Sequence, residues 1–443
     1  MKRSISRYLS NWLIAPSSPR AEPPILLRGA RQVGKSYAVR QLHEQFPEIP
    51  YTELNFELEP ALKQIFERDL VPDRILSELS LVKGAQVTTP GGLLFFDEVQ
   101  ACPNCIKALR YFYELRPDMK IIAAGSLLDF VLQDEEMRFP VGRIQSLFLG
   151  PLSFGEFLSA LGKTTLLEFI EGSGITMPVP EIAHQELMAQ LKSYFLVGGM
   201  PEAVARFIET HNFAIASEVH AKIIQGYRDD FARYARREQW ELLLAVMDRV
   251  ARYVGGTKIT YTRLGPDYRI PQIKRAISLL EHARILTRVR STQAKELPLA
   301  AHVSDKDFKL LYLDIGLLSH QLGTDLRQLS EQDSLTTMYK GMLAEQFVGQ
   351  QLLSSLPLST QPELFYWNRD VQGAQAEVDF VIPHRGYPSP VEVKSGALGK
   401  LRSLAMYQRD FKPKVSFLLS ASNAQIMDGV VIRLPLYRAG YLS

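Results

Sequence analysis

Cysteine is nearly absent. The 443 residues contain two, Cys102 and Cys105, so no disulfide framework can hold this chain together. They form a single C-x-x-C. There is no second pair, and the eight histidines show no paired ligand spacing. A zinc site is therefore not expected, and both residues read as ordinary thiols near a helix start. Long apolar runs are missing too. The nearest, 121–132, is interrupted by Ser126 and Asp129 and falls short of the about 18 residues a membrane span needs. Tyr8 to Ala15 is too short and too polar for a secretory signal core, which makes the cytoplasm the expected compartment and a membrane an unexpected partner. Charge of one sign is lacking as well: 51 Lys and Arg against 48 Asp and Glu leave +3. Any case for nucleic acid must come from local clusters. What remains is 46% hydrophobic and 22% charged, a globular composition with length for about three domains.

One stretch organises the rest. Gly29-Ala30-Arg31-Gln32-Val33-Gly34-Lys35-Ser36 fits G-x-x-x-x-G-K-[ST], the phosphate-binding loop. Ile25 to Leu27 before it reads as a buried strand, and Tyr37 to Gln45 after it as an unbroken helix. Gly29 and Gly34 let the backbone turn so that successive N–H groups face a phosphate, and the helix N-terminus adds partial positive charge. Lys35 is expected on the β- and γ-phosphates of a nucleotide and the Ser36 hydroxyl on Mg²⁺.

The second nucleotide motif is Leu93-Leu94-Phe95-Phe96-Asp97-Glu98, an apolar strand ending in carboxylates. Ligands of open α/β sheets bind at that end. Asp97 is expected to hold Mg²⁺ and Glu98 to polarise an attacking water. A third strand, 120–126, ends at Ser126, either a sensor of the terminal phosphate or a plain helix cap. Gly142-Arg143 precedes a strand from Ser146 to Leu149. Arg143 is expected either as an arginine finger across a subunit interface or as the partner of a neighbouring carboxylate.

From Phe154 to about Tyr234 the pattern is helical, interrupted by Gly198-Gly199-Met200-Pro201. Trp240 to Tyr253 is amphipathic and ends at Gly255-Gly256; Tyr261 to Leu264 is a short helix, and a longer one starts at Pro271. With the basic stretch 287–290 this suggests a winged helix-turn-helix, with Gln272, Lys274 and Arg275 near the start of its recognition helix. Packing between domains is the competing use of the same elements.

Beyond residue 300, a helix near 341–353 carries Glu345 in an apolar, Gln-rich setting. Extended segments follow at 363–368, 376–382 and 389–394. Alternation puts Glu377 with Asp379 on one face, and Glu392 with Lys394. Asp379 and Glu392 binding Mg²⁺, with Lys394 beside them and Glu345 and Gln408 closing the pocket, is the arrangement a metal-dependent phosphodiesterase needs. A polar face on a solvated sheet has the same pattern.

Taken together, these residues resemble a bacterial and archaeal family of AAA-type P-loop ATPases with a winged helix and a carboxyl-terminal PD-(D/E)xK nuclease-like domain of uncharacterised function. The resemblance is carried by the two nucleotide motifs, Pro151 to Phe154, Gly198 to Pro201, Tyr312 to Leu317, Gly341 to Glu345, Glu377 to Asp379 and Val391 to Lys394. It implies an α/β chain: connector 1–22, P-loop core with a parallel sheet 23–153, helical lid 154–235, winged helix 236–300 and nuclease-like α/β domain 301–443. ATP and Mg²⁺ are the implied cofactors. DNA, a protein partner and further copies of the chain are the implied partners. The implied activity is ATP hydrolysis coupled to a DNA-directed module, against the alternative of a nucleotide-dependent scaffold.

Overall fold

The structure, a computed structural model, describes residues 1, 3–16, 22–126, 128, 132, 142–234, 237–254, 258–323, 341–369, 375–394 and 401–442, without the side chains of 233, 234, 237–239, 305 and 306. Gly255-Gly256, much of the apolar run 121–132 and part of the connector at 16–24 lie outside the described residues.

Five strands, β1 (Ile25–Arg28), β2 (Tyr51–Asn55), β3 (Leu93–Asp97), β4 (Lys120–Ala124) and β5 (Gln145–Phe148), form a parallel sheet in the order β2-β3-β4-β1-β5. β3 and β4 are buried at every position, because helices cover both faces of the sheet. Alternation divides each strand between two cores. Leu27 and Phe95 pack with α1 (Ser4–Ile14) and α2 (Lys35–Gln45), whereas Leu26, Leu94 and Phe96 pack with α3 (Pro72–Lys83) and α4 (Pro103–Leu115). Pro72 and Pro103 each occupy the first helical position, where a missing N–H costs nothing. Cys102 and Cys105 are both buried and free at the start of α4.

The chain leaves this sheet through Ser153, which caps α5 (Phe154–Ala160) in a reciprocal capping box with Glu156. Four more helices follow: α6 (Thr164–Gly172), α7 (Glu181–Val197), α8 (Pro201–Thr210) and α9 (Phe213–Tyr234). Then come α10 (Arg237–Val250), α11 (Tyr261–Leu264), α12 (Ile270–His282) and the antiparallel pair β6 (Leu286–Thr292) and β7 (Val303–Tyr312). Ile273, Ile277 and Leu280 are the buried face of α12. The rest is α13 (Ile315–Gln321), α14 (Met342–Ser354), β8 (Leu364–Arg369), β9 (Ala376–His384), β10 (Tyr387–Val393), α15 (Arg402–Phe411), β11 (Ser416–Ser420), β12 (Gln425–Met427) and β13 (Val431–Pro435).

The second sheet has eight strands in the order β12-β13-β11-β10-β9-β8-β6-β7. It crosses residue 300: β6 and β7 lie on either side of that position, and β6 pairs in parallel with β8.

Two joints tie the helical layer to this sheet. Asp314 is fully buried and accepts from the backbone N–H groups of Gly199 (2.6 Å), Gly316 (2.9 Å) and Leu317 (3.1 Å). A Cβ at Gly198 would lie 2.0 Å from the Asp314 carboxylate, so only glycine permits that approach. α14 is buried nearly all round, and its glutamines satisfy backbone groups that packing would otherwise orphan. Gln346 brackets Tyr312 through both amide atoms (2.8 Å each), Gln350 accepts from Ile315 N–H (2.9 Å), and Gln351 accepts from Phe154 N–H (2.8 Å).

Candidate functional site

The phosphate loop leaves β1 at its carboxyl end and enters α2 at Lys35. Gly34 is left-handed, at φ 92°. The Lys35 ammonium donates to the carbonyls of Gly29 (3.0 Å) and Ala30 (2.8 Å), which folds it over the mouth of the loop. Burial presses its pKa down to about 8; Glu98 and Asp97 oppose this, and the charges of Arg31 and Arg284 add to it. The Ser36 hydroxyl donates to the Asp97 carboxylate at 3.0 and 2.9 Å. The side chains that two separate motifs assign to Mg²⁺ therefore meet. Asp97 is buried, and burial together with the charge of Glu98 raises its carboxyl to about 6. A buried carboxylate crowded by another carboxylate and joined to a hydroxyl oxygen suits a hard cation, so the residues fit Mg²⁺.

Glu98 has a left-handed backbone (φ 53°), a strained setting for a non-glycine residue. Its carboxylate accepts from the Gln100 amide at 2.6 Å. Ser126 lies just beyond Ala124, the residue of β4 paired with Asp97. Arg31 forms an ion pair with Asp230 of α9, and Tyr227 donates to the Arg31 carbonyl at 2.9 Å, so α9 holds the loop from outside. Asn55 donates to Asp97 at 3.4 Å. Neither Asn55 nor Asp230 belongs to either motif, and Gln100 lies at the end of the second. Arg143 lies just before β5, at the amino ends of the parallel strands and so away from the loop. Its guanidinium pairs with Glu114 at 3.0 Å and lies 5.9 Å from the Tyr113 ring. Within one chain it is the partner of a neighbouring carboxylate.

The carboxyl-terminal acidic residues gather, but around a residue the motif did not contain. Lys309 of β7 is 1% exposed. Its ammonium lies 2.9 Å from Glu345, 2.5 Å from Glu377 and 3.6 Å from Asp379, and 5.2 Å from the Tyr366 ring centre. Burial alone would lower its pKa; Glu345, Asp379 and Glu377 outweigh that and raise it well above the usual lysine range. Asp379 accepts from the Val393 N–H at 2.7 Å, and Lys394 pairs with Glu392 at 2.6 Å. Burial, then the charge of Asp379, raises the Glu392 carboxyl to about 7. Its second oxygen is buried without a hydrogen-bond partner.

Glu345, Asp379, Glu392 and Lys394 are thus brought together as the sequence predicts. Gln408 is not: its amide donates to the Ser416 hydroxyl at 3.1 Å. At Asp379, one of the two residues expected to hold a divalent cation, the neighbouring cation is an ammonium. The cation among these carboxylates is Lys309, and among the described residues no group of three or more His, Cys, Asp or Glu side chains is arranged to hold a metal ion. A lone lysine inside the apolar run Phe308-Lys309-Leu310-Leu311 was the available signal, since a lysine is buried only when paired.

On α12, Gln272, Lys274 and Arg275 are exposed. Gln272 accepts from the Arg269 N–H at 3.0 Å and so caps its own helix, while Lys274 lies 5.2 Å from the Tyr261 ring.

Residues 21–158 match the family described as an AAA domain, and residues 188–328 and 340–437 match two domains of unknown function, DUF8612 and DUF4143. No curated protein matches the chain. Among solved structures, a Walker-type ATPase of Pyrococcus abyssi is similar at 16% identity, with a TM-score of 0.44 over 73% of this chain and 95% of that one. An Orc1 protein of Aeropyrum pernix in complex with DNA is similar at 13% identity, with a TM-score of 0.30 over 72% and 91%. The RuvB Holliday junction branch migration motor of Thermotoga maritima is similar at 14% identity, with a TM-score of 0.31 over 65% and 90%. No described helix is long and apolar enough to cross a membrane. The family match falls on the parallel sheet, the phosphate loop and the paired Ser36 and Asp97, so residues 21–158 are similar to an AAA domain and carry a P-loop fold.

Proposed function

We propose that the chain is a Mg²⁺-dependent ATPase that hydrolyses ATP to ADP and phosphate and passes its nucleotide state to the winged-helix and carboxyl-terminal segments. The observation that carries this is the meeting of Ser36 with Asp97 beneath a Lys35 folded over Gly29 and Ala30. Phosphoryl transfer asks for positioning and charge stabilisation rather than covalent chemistry. The backbone N–H groups of 29–36 would cradle the phosphates, and Lys35 would offset their negative charge. Ser36 and Asp97 would hold Mg²⁺, which would supply charge neutralisation when bound. Glu98, released from Gln100, orients the attacking water, and Ser126 senses the terminal phosphate. Arg143 acts on the loop of another copy, since it faces away from its own.

The exposed Lys274 and Arg275 make α12 the face we assign to DNA, and the elements from α10 to β7 the winged helix. For the carboxyl-terminal segment Lys309 favours a second reading over cleavage. An ammonium already neutralises the carboxylates a divalent ion would use, which makes this a binding module switched by nucleotide rather than a nuclease. ATP turnover with and without DNA tests the first reading. Lys35→Ala should lose nucleotide affinity. Glu98→Gln should bind and retain ATP while turnover falls by about 100-fold or more. Equal turnover in Glu98→Gln and wild type would sink the assignment of Glu98.

A further inference from the structure

Two carbonyls of the phosphate loop are held by side chains from outside it. The Tyr227 hydroxyl of α9 donates to the Arg31 carbonyl at 2.9 Å. The Arg3 guanidinium, just before α1, donates to the Val33 carbonyl at 3.1 Å. Both donors are buried: Tyr227 is 3% exposed and Arg3 8%. Arg3 is itself fixed by the Gly150 carbonyl (2.7 Å) and by Glu156 (3.2 Å). One turn beyond Tyr227, on the same side of α9, Asp230 pairs with the Arg31 guanidinium. One helix therefore grips both the backbone and the side chain of residue 31.

The planar trans peptide decides what this grip does. Its C=O and the following N–H point to opposite sides of the chain. An Arg31 carbonyl turned to α9 aims the Gln32 N–H away from α9, and a Val33 carbonyl turned to Arg3 aims the Gly34 N–H away from Arg3. The residues that carry these two N–H groups are both left-handed, Gln32 at φ 65° and Gly34 at φ 92°. Left-handed residues in such a turn gather N–H groups into an anion-binding hollow. Glycine adopts that conformation without strain, but glutamine does not. Gln32 needs a hold from outside, and the Tyr227 hydroxyl sits on the peptide that precedes it.

We propose that Tyr227 is a positioning residue for the nucleotide phosphates: by holding the Arg31 carbonyl it keeps Gln32 left-handed, with its N–H turned into the cradle. The inference rests on reading the loop as an ATP site. It adds a residue that lies outside the matched segment 21–158 and inside 188–328. It also gives the nucleotide a route out of the first sheet. Toward its other end α9 meets the Gly198-Gly199 joint, where His220 lies 3.0 Å from the Val197 carbonyl and Ser217 2.7 Å from His320 of α13. A phosphate that favours the cradle conformation favours the docked α9 by the same factor.

The test uses the full chain with Mg²⁺ and measures the Kd of ATPγS and of ADP. Tyr227→Phe deletes one hydroxyl and keeps the ring, so the packing of α9 survives. It should weaken both nucleotides by about fivefold, the worth of one neutral hydrogen bond. Gln32→Gly frees the left-handed backbone of strain, so adding Tyr227→Phe to it should cost less than about twofold. That rescue separates positioning from stability, because the hydroxyl is lost equally in both backgrounds. Wild-type affinity in Tyr227→Phe would overturn the proposal, as would the same loss with and without Gln32→Gly. Lys35→Ala tells the two failures apart. If it binds ADP like wild type, the loop reading fails and the proposal with it. If it loses ADP while Tyr227→Phe does not, the loop reading stands and Tyr227 does not position it.

Discussion

Lys309→Met keeps the length of the side chain and deletes its charge, and it should be the most damaging single change in the carboxyl-terminal segment. It takes the nearest cation from Glu345 (5% exposed) and Asp379 (17%), with Glu377 (30%) at the rim and only Lys394, already paired with Glu392, remaining nearby. Removing one partner of a buried ion pair costs about 3–5 kcal/mol. The half-wet Glu377 contact contributes little, so the lower end, about 3 kcal/mol, is expected at pH 8. The pH dependence follows from the charges. The raised pKa of Lys309 means its stabilisation is complete below the ordinary lysine pKa and fades only as pH rises through the still higher folded value. Wild type is therefore insensitive to this group between about pH 5 and 9. In the variant the stranded carboxylates repel only when ionised, so its deficit should be small near pH 4 and grow toward pH 8. Urea unfolding read by Trp367 of β8, with Trp12 and Trp240 changed to Phe, isolates this sheet from the rest of the chain. Millimolar Mg²⁺ should recover part of the loss in the variant and do nothing to this transition in wild type. Equal midpoints for the two proteins at pH 8, or wild type stabilised by Mg²⁺ as much as the variant, would refute the reasoning.

Two further outcomes are expected. Glu392 is raised from 4.5 to about 7 by burial and by Asp379, so the native state binds more protons than the unfolded chain in that window and stability falls as pH rises through it. Glu392→Gln should remove this fall, worth about 3 kcal/mol above pH 7; a variant with the wild-type slope in a pH series of urea titrations would contradict it. For Arg143, mixing inactive Arg143→Ala and Lys35→Ala chains should restore measurable ATP turnover if copies share sites. Mixed assemblies that form and stay inactive leave Arg143 with Glu114 alone.

The parts of the site written within a few neighbouring residues were legible. The spacing of Gly29, Gly34, Lys35 and Ser36, and the apolar run into Asp97 and Glu98, are local patterns that follow from strand and turn geometry. The segment Tyr261 to Leu264 was placed to the residue for the same reason. Gly198 and Gly316 stood out as motif residues, and Asp314 stands in the same stretch as Gly316, but neither stretch shows that this aspartate meets Gly198 and Gly199 more than a hundred positions away. Lys309 escaped because it acts on groups from other elements: a lysine in an apolar run signals a buried partner but not which carboxylates it faces. Gln408 shows the opposite error: its helix was correct, but the side chain turns to Ser416, and nothing in the helical period fixes which neighbour an amide selects.

The parallel pairing of β6 with β8 has a further consequence. In the intact chain β8 is an interior strand, flanked by β9 and β6. The matched segments 188–328 and 340–437 divide between those two partners, so a fragment beginning at 340 would present the open backbone edge of β8 along Leu364, Phe365 and Tyr366. An unguarded edge of that kind recruits any available strand, including its own copies. The second segment therefore depends on the first to cover that edge.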